Sequence, residues 1–240
     1  MQTNADGIVH VDNQYPIQIH YITVATIPHP ILDTIKQQIA MNHETIHVLG
    51  CNENRKIGWD AHGNFGLKLR EVHDFLFRTN IRPRDIIVFT DAYDVAYTGK
   101  LTQVVDRFRR FSTPIVFGCE KYCNPDPEER SKYPYTDSEF PFLNSGLFVG
   151  EAWALRHSMS GYVYLDKHDD QRFWTQAFFQ HPDLISLDYN NELFLNTVDI
   201  DMKYFSWDGE HATYKDKKPL FIHVNGPNKQ LIFTMANSRR

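Results

Sequence analysis

The 240-residue sequence has little cysteine, with Cys51, Cys119 and Cys123 its complete set. Three thiols are too few for a disulfide framework, and a structural zinc site needs four ligands at closer spacing. The sequence therefore excludes a disulfide-rich scaffold and argues against a cysteine-based zinc site. One bridge between Cys119 and Cys123 is possible, although free or buried thiols are the simpler interpretation.

Long hydrophobic runs and an excess of positive charge are also absent. No apolar stretch approaches the ~18 residues that cross a bilayer, which excludes a membrane-spanning helix. The 25 Lys and Arg residues stand against 30 Asp and Glu, a net charge of −5, which excludes a strongly basic nucleic-acid-binding surface. The aromatic content of 14% is too high for a disordered chain.

Apolar, β-branched segments alternate with amphipathic ones along the chain. The clearest strand, DIIVFTD at 85–91, is almost continuously apolar, as in a central strand covered on both faces. The alternation predicts an α/β fold with a mostly parallel sheet and helices on both faces, in a single domain over residues 1–240. The predicted strands are 17–26, 45–50, 85–91, 114–120, 186–189, 202–207 and 219–226, with a turn and strand over 144–152. The predicted helices are 31–42, 65–80, 101–111, 154–165 and 169–182, and the proline-rich segment 121–142 is predicted to be a long functional loop.

Two carboxylates stand at the end of the clearest strand. Asp91 ends that strand and Asp94 follows three residues later, in FTDAYDV. In open α/β sheets, ligands bind at the carboxyl ends of strands, and two carboxylates on one tight turn can hold a hard cation. The spacing is compatible with a metal site, although an ordinary Asx turn is the more common reason for such a short motif.

A second apolar strand runs into polar residues near the C-terminus, in PLFIHVNGPNK. His223 and Asn225 lie at its end, and Lys229 is close enough in sequence to meet a phosphate as a point charge. From these residues alone, a buried, hydrogen-bonded histidine at a transition from strand to turn is the more common explanation.

Two further motifs are less specific on their own. Asp169 and Asp170, in KHDDQRFW, are typical of a helix N-terminus, where the dipole and free N–H groups favour carboxylates. The segment Asn144-Ser145-Gly146 is typical of a turn, in which Gly146 permits positive φ or the close approach of a ligand.

The order of these motifs is more specific than any one of them. FTDAYDV, FPFLNSGLFVG, HDDQRFW and HVNGPNK follow one another in an order that resembles the glycosyltransferase domain of the procollagen lysyl hydroxylases. ITVAT and GLKLREV resemble the first strand of that domain and the segment before its second core helix. The resemblance covers about residues 20–233, so we expect a domain core over about 17–233. It departs from the family at Asn124, where the family has Trp, and in a shorter acidic run before Gln171.

The resemblance implies a GT-A type fold, a UDP-sugar donor and a Mn²⁺ ion. Matched position by position, it assigns Asp91, Asp94 and His223 to the metal, and places Asp169 and Asp170 near the transferred sugar as catalytic residues. The positions that match the donor site are Thr23, Val24, Ala25, Lys68, Asp91, Tyr93, Asn144, Asn225, Gly226 and Lys229. An imidazole beside two carboxylates also suits Mn²⁺ better than Mg²⁺, because nitrogen is the softer ligand.

We expect glucosyl transfer from UDP-glucose to galactosylhydroxylysine of collagen or a collagen-like chain. The runner-up is galactosyl transfer from UDP-galactose to hydroxylysine. An inactive nucleotide-sugar-binding module and a metal-dependent phosphohydrolase are the remaining alternatives. The family's hydroxylase domains do not fit this length, and the first 14 residues carry no secretory signal pattern, so a stand-alone cytoplasmic transferase, viral or microbial, is expected.

Overall fold

A six-stranded sheet forms the centre of the computed structural model, which describes residues 16–58, 63–78 and 80–238. The strands of the fold are β1 Ile19–Val24, β2 Ile46–Leu49, β3 Ile86–Asp91, β4 Val95–Tyr97, β5 Ile115–Glu120, β6 Phe142–Glu151, β7 Ile185–Leu187, β8 Phe194–Asn196, β9 Phe205–Trp207, β10 Ala212–Tyr214 and β11 Phe221–His223. The helices are α1 Pro30–Met41, α2 Gly66–Leu76, α3 Leu101–Phe108, α4 Ala152–Ser158, α5 Asp170–Gln180 and α6 Gln230–Asn237.

The central sheet has the strand order β2-β1-β3-β6-β5-β7. Three of its strand pairs are parallel, and the two pairs that involve β6 are antiparallel. The prediction of an α/β fold with a mostly parallel sheet is therefore confirmed. The antiparallel direction of β6 was not predicted, because the pattern of apolar residues in a strand carries no information about its direction.

Both faces of the central sheet are covered, which explains its nearly continuous apolar strands. Every residue from Ile86 to Thr90 of β3 is buried. On one face, Phe148 of β6 packs against Trp174 of α5, with 5.4 Å between ring centroids. On the other face, Tyr21 of β1 meets Phe221 of β11 edge to face at 5.7 Å. Helices α1 and α6 pack against β4, so helices and a small sheet together complete a three-layer arrangement.

A three-stranded sheet, β4-β11-β8, brings the C-terminal part of the chain to the end of β3. His223 lies opposite Val95 in the antiparallel pair with β4 and opposite Asn196 in the parallel pair with β8. The Val224 N–H donates to the Asp94 carbonyl at 2.8 Å, which extends this pairing by one residue. The register therefore fixes His223 beside the turn that follows β3.

Some local predictions were wrong. The residues Asn144, Ser145 and Gly146 lie inside β6 rather than in a turn. Asn144 pairs with Gly118 of β5, and residues 145–147 lie at the register shift between Phe117 and Gly118. The predicted helix 154–165 ends at Ser158, and Gly161 adopts the left-handed φ of 78° that follows many helix ends. The predicted strand 202–207 begins as a 3-10 helix, Met202–Tyr204.

The structure also bears on the remaining sequence expectations. All three cysteines are free, so the bridge between Cys119 and Cys123 is not formed. Within the described part of the chain, no helix is long and apolar enough to cross a membrane. The first 14 residues, to which the signal-peptide prediction refers, lie outside the described residues, as does residue 79 of the predicted helix 65–80.

Candidate metal and donor site

Asp91, Asp94 and His223 converge at the carboxyl end of β3. Each offers one ligand atom, and the three atoms lie within 4.8 Å of one another. His223 Nε2 is 3.3 Å from Asp94 Oδ1 and 3.8 Å from Asp91 Oδ2. Two carboxylates and one imidazole at this spacing match the donor set of a divalent cation.

Gly146 of β6 forms the wall of this cluster. A Cβ placed on Gly146 would lie 2.6 Å from His223 Cε1, 2.8 Å from Asp91 Oδ2 and 3.1 Å from Asn144 Oδ1. Such distances are shorter than side chains tolerate, so only glycine leaves the metal-binding atoms where they are. The motif Asn144-Ser145-Gly146 thus contributes through close approach, one of the two roles expected for its glycine.

Asn144 and Asn196 flank the imidazole of His223, and residues at the end of β5 bind both of these side chains. Glu120 accepts hydrogen bonds from Asn144 Nδ2 and Asn225 Nδ2, both at 3.1 Å. Burial raises the pKa of Glu120 to about 7, although the two amide donors oppose the shift. Asn196 Nδ2 donates to the carbonyl of Cys119 at 2.8 Å. Neither Glu120 nor Asn196 was predicted, yet each ends an apolar strand, as Asp91 does.

Lys68 of α2 joins the metal cluster to the predicted catalytic pair. Its ammonium lies 2.7 Å from Asp91 Oδ1 and 2.7 Å from Asp170 Oδ2. Burial alone would lower the pKa of Lys68, but Asp170 and Asp91 outweigh it and hold the pKa above its usual value. Lys68 is therefore a charged lysine shared by two carboxylates.

The two adjacent aspartates have different surroundings. Asp170 is buried, and Ser145 Oγ donates to its Oδ2 at 2.9 Å, so it faces the cluster. Asp169 is the N-cap of α5 and accepts the Arg172 N–H at 2.9 Å. Burial raises the pKa of Asp169. The capping interpretation thus holds for Asp169, whereas Asp170 belongs to the network around Lys68.

Lys229 lies on the opposite side of the cluster. Its ammonium donates to Asp94 Oδ2 and to the Val224 carbonyl, both at 2.6 Å. Burial would raise the pKa of Asp94, but His223 and Lys229 outweigh it and hold the pKa well below its usual range. Asp94 is consequently a carboxylate at neutral pH.

The turn after His223 is held by its own residues. Asn225 Oδ1 accepts the N–H groups of Thr197 and Val198 at 3.0 and 3.1 Å. Gly226 has a φ of 81°, and a Cβ there would lie 2.7 Å from a methyl group of Val198, so the turn requires glycine. The side chain of Asn225 is thus engaged in placing this turn against the end of β8.

The predicted donor residues at the end of β1 are less accessible. Thr23 is fully buried and donates to the Thr90 carbonyl at 2.8 Å. Val24 and Ala25 are 5% and 2% exposed. Tyr93 lies beside this strand end, where its hydroxyl accepts the Thr26 N–H at 2.9 Å. The structure thus places these residues near Asp91 in the fold but gives the side chains of Thr23, Val24 and Ala25 little open surface.

This arrangement suits an anionic ligand held through a divalent cation. The carboxylates and the imidazole can hold a cation, and Lys68 and Lys229 add positive charge beside it. The fold and the site are those expected of a glycosyltransferase of the GT-A type. A glycosyltransferase involved in glycosylation of the major capsid of PBCV-1 has a similar solved structure, with a TM-score of 0.50 and 12% identity. That alignment covers 92% of this chain and 98% of the other, and at this identity it concerns the fold alone.

The pattern that defines the PLOD GT domain matches residues 16–238, and the chain belongs to this family. A multifunctional procollagen lysine hydroxylase and glycosyltransferase of Caenorhabditis elegans is 30% identical over 231 residues, or 90% of this chain. The human multifunctional procollagen lysine hydroxylase and glycosyltransferase LH3 is 27% identical over 233 residues, or 92% of this chain. The chain spans 31% of the length of each of these relatives.

Proposed function

We propose that this glycosyltransferase moves glucose from UDP-glucose to galactosylhydroxylysine in collagen or a collagen-like polypeptide, within one domain whose core is about residues 17–233. The observation that carries the proposal is the meeting of Asp91, Asp94 and His223 with Lys68 and Asp170 at one edge of the sheet. Relatives described as both procollagen lysine hydroxylases and glycosyltransferases support the choice of acceptor.

Asp91, Asp94 and His223 are the residues that would hold a Mn²⁺ ion. The lack of a side chain at Gly146 leaves their three ligand atoms room to converge, and the imidazole favours Mn²⁺ over Mg²⁺. When bound, the ion would neutralise the negative charge that grows on the diphosphate as the bond between the sugar C1 and the phosphate oxygen breaks.

The lysines of the chain supply further positive charge. Lys229 is partly exposed and reaches Asp94 on a flexible stem, so its ammonium can share a diphosphate oxygen with little rearrangement. Asn225 and Gly226 hold the turn that precedes Lys229, and this turn would place backbone N–H groups beside the same oxygens. Lys68 neutralises Asp91 and Asp170, which would otherwise repel an anionic donor.

Asp169 and Asp170 are proposed to act on the sugar and on the acceptor. Asp170, fixed by Ser145 and Lys68, is suited to stabilise positive charge that develops on the sugar ring. Asp169 lies at the start of the same helix, and a raised pKa makes a carboxylate a better acceptor for the proton of an attacking hydroxyl.

A donor and acceptor screen tests the proposal. UDP-glucose and UDP-galactose are each incubated with Mn²⁺ and with peptides that carry galactosylhydroxylysine or hydroxylysine, and products are identified by mass spectrometry. We expect a hexose to be added only from UDP-glucose to galactosylhydroxylysine. Transfer from UDP-galactose to hydroxylysine would select the runner-up, and UDP-glucose binding without transfer to any peptide would select an inactive module. Asp94→Ala is the control for transfer that does not depend on the metal cluster.

A further inference from the structure

The buried imidazole of His223 is held at Nδ1 by two amide oxygens. Nδ1 lies 2.8 Å from Asn196 Oδ1 and 3.2 Å from Asn144 Oδ1. All three side chains are buried, with 3%, 1% and 7% of the residue exposed for His223, Asn196 and Asn144. The opposite ring nitrogen, Nε2, faces Asp94 and Asp91.

Other hydrogen bonds fix which end of each amide faces the ring. Asn196 Nδ2 donates to the Cys119 carbonyl at 2.8 Å, so its oxygen must point at His223. Asn144 Nδ2 donates to Glu120 Oε1, and Asn144 Oδ1 also accepts the Gly146 N–H at 3.1 Å. A carbonyl oxygen accepts hydrogen bonds and cannot donate them, so these two contacts are hydrogen bonds only when Nδ1 carries the hydrogen.

The neutral ring is thus under two opposing influences. Asp94 and Asp91 attract a hydrogen to Nε2, which would leave no lone pair there for a metal. Asn196, the shorter of the two Nδ1 contacts, favours the hydrogen at Nδ1 and leaves the Nε2 lone pair facing the carboxylates. Partners of this kind set the tautomer and orientation of metal-binding histidines.

We propose that Asn196 is a positioning residue that keeps His223 in the Nδ1–H tautomer, with Nε2 free to bind a metal. The register explains how it does so, because Asn196 of β8 lies directly opposite His223 of β11. The expected effect on metal binding rests on the proposed function, in which His223 is a metal ligand. The expected tautomer of His223 does not depend on that function.

Two kinds of variant separate this role from a purely structural one. Asn196→Leu removes the acceptor and keeps a side chain of similar size, whereas Asn196→Asp keeps an oxygen in front of Nδ1. Leu195→Ala is the matched structural control, because Leu195 is fully buried in the same strand and its truncation weakens the core without removing a polar partner of His223.

The tautomer is read from ¹⁵N NMR spectra of the histidine rings, recorded over the alkaline pH range in which the spectra no longer change, and His223→Gln identifies the resonances. We expect Nδ1–H in the wild type, in Asn196→Asp and in Leu195→Ala, and a shift toward Nε2–H in Asn196→Leu. An Nε2–H tautomer in the wild type would overturn the proposal without any variant, as would an unchanged tautomer in Asn196→Leu.

The affinity for Mn²⁺, measured by electron paramagnetic resonance without donor, gives the second readout. We expect Asn196→Leu to bind Mn²⁺ about 10- to 100-fold more weakly, and Leu195→Ala to bind as the wild type does. Equal losses in both variants would show a merely structural role and overturn the proposal. If the wild type binds no Mn²⁺ while Asn196→Leu still changes the tautomer, the metal assignment fails and the positioning role stands.

Discussion

Replacing Gly146 by alanine should disable the metal cluster while the fold persists. Gly146 is buried in β6, and its backbone lies outside the left-handed region, so alanine meets no backbone strain there. The new methyl group would lie 2.6 Å from His223 Cε1 and 2.8 Å from Asp91 Oδ2. The strain of the substitution therefore falls on two of the three proposed metal ligands.

The expected size of the effect follows from these distances. To reach 3.4 Å, where ordinary contact begins, the His223 atom must move by about 0.8 Å and the Asp91 atom by about 0.6 Å. A misplacement of about 1 Å in a catalytic constellation costs on the order of 100-fold in rate, or about 2.7 kcal/mol of transition-state stabilisation. We expect a loss of about this size in kcat/KM for glucosyl transfer, together with weaker Mn²⁺ binding.

Gly150→Ala is the matched control, because it makes the same change four residues further along β6. A Cβ there would lie 3.1 Å from Ile115 Cγ1 and 3.1 Å from the Pro114 carbonyl, contacts that lie away from the metal cluster. We expect a lower melting temperature for Gly150→Ala but normal kcat/KM per folded molecule. Near-normal transfer and Mn²⁺ affinity in Gly146→Ala would refute the reasoning.

Three further predictions concern charged residues. Lys68→Met removes the cation shared by Asp91 and Asp170, so we expect kcat/KM to fall at least about tenfold. The measurement is a coupled UDP-release assay in the presence of acceptor, and an unchanged kcat/KM would contradict the prediction. Asp170→Asn should lower kcat far more than it raises the donor KM, and a change confined to KM would exclude a role in the transition state. Asp85 is buried just before the start of β3, and its carboxylate accepts hydrogen bonds from the N–H groups of Gln18 and Arg82 at 3.0 and 2.8 Å. Burial would raise the pKa of Asp85, but these hydrogen bonds outweigh burial and lower the pKa. The charged Asp85 therefore stabilises the fold above its unfolded pKa of 3.8, and this stabilisation is lost as the pH falls. We expect the free energy of unfolding of Asp85→Asn, measured in urea, to be about 2 kcal/mol below that of the wild type at pH 7, and the difference to narrow below pH 4. A difference that does not change with pH would contradict the linkage.

The parts of the fold that the sequence predicted are those with long, strong patterns. The strand at 85–91 and the helix that became α2 have enough apolar residues in register to be recognised alone. The three-residue strands β7, β9 and β11 overlap predicted segments, whereas the equally short β4, β8 and β10 were not predicted. β4 and β8 both pair with the distant β11, which sequence-local reasoning does not see, whereas β10 pairs with its neighbour β9.

The residues of the candidate site were also predicted only in part. Asp91 and His223 were predicted because each ends an apolar strand and the order of motifs matched a family. Asn196 and Glu120 also end strands, but they belong to the site through hydrogen bonds to residues that are distant in sequence. Asn196 contacts His223, 27 positions away, and Glu120 contacts Asn144, 24 positions away. Asn144, Ser145 and Gly146 were assigned to a turn on local composition, although Asn144 pairs with Gly118 of β5 and β6 continues through them to its pairing with β3 from Leu147 onward.

The most direct test of the account is Mn²⁺ binding in the presence and absence of UDP, followed by electron paramagnetic resonance in the wild type and in Asp94→Ala. The account predicts that the wild type binds Mn²⁺, that UDP tightens this binding because the diphosphate shares the ion, and that Asp94→Ala loses both effects while it stays folded. Equal Mn²⁺ binding by the two proteins, with no influence of UDP, would contradict the assignment of Asp91, Asp94 and His223 as the metal centre of a UDP-sugar transferase.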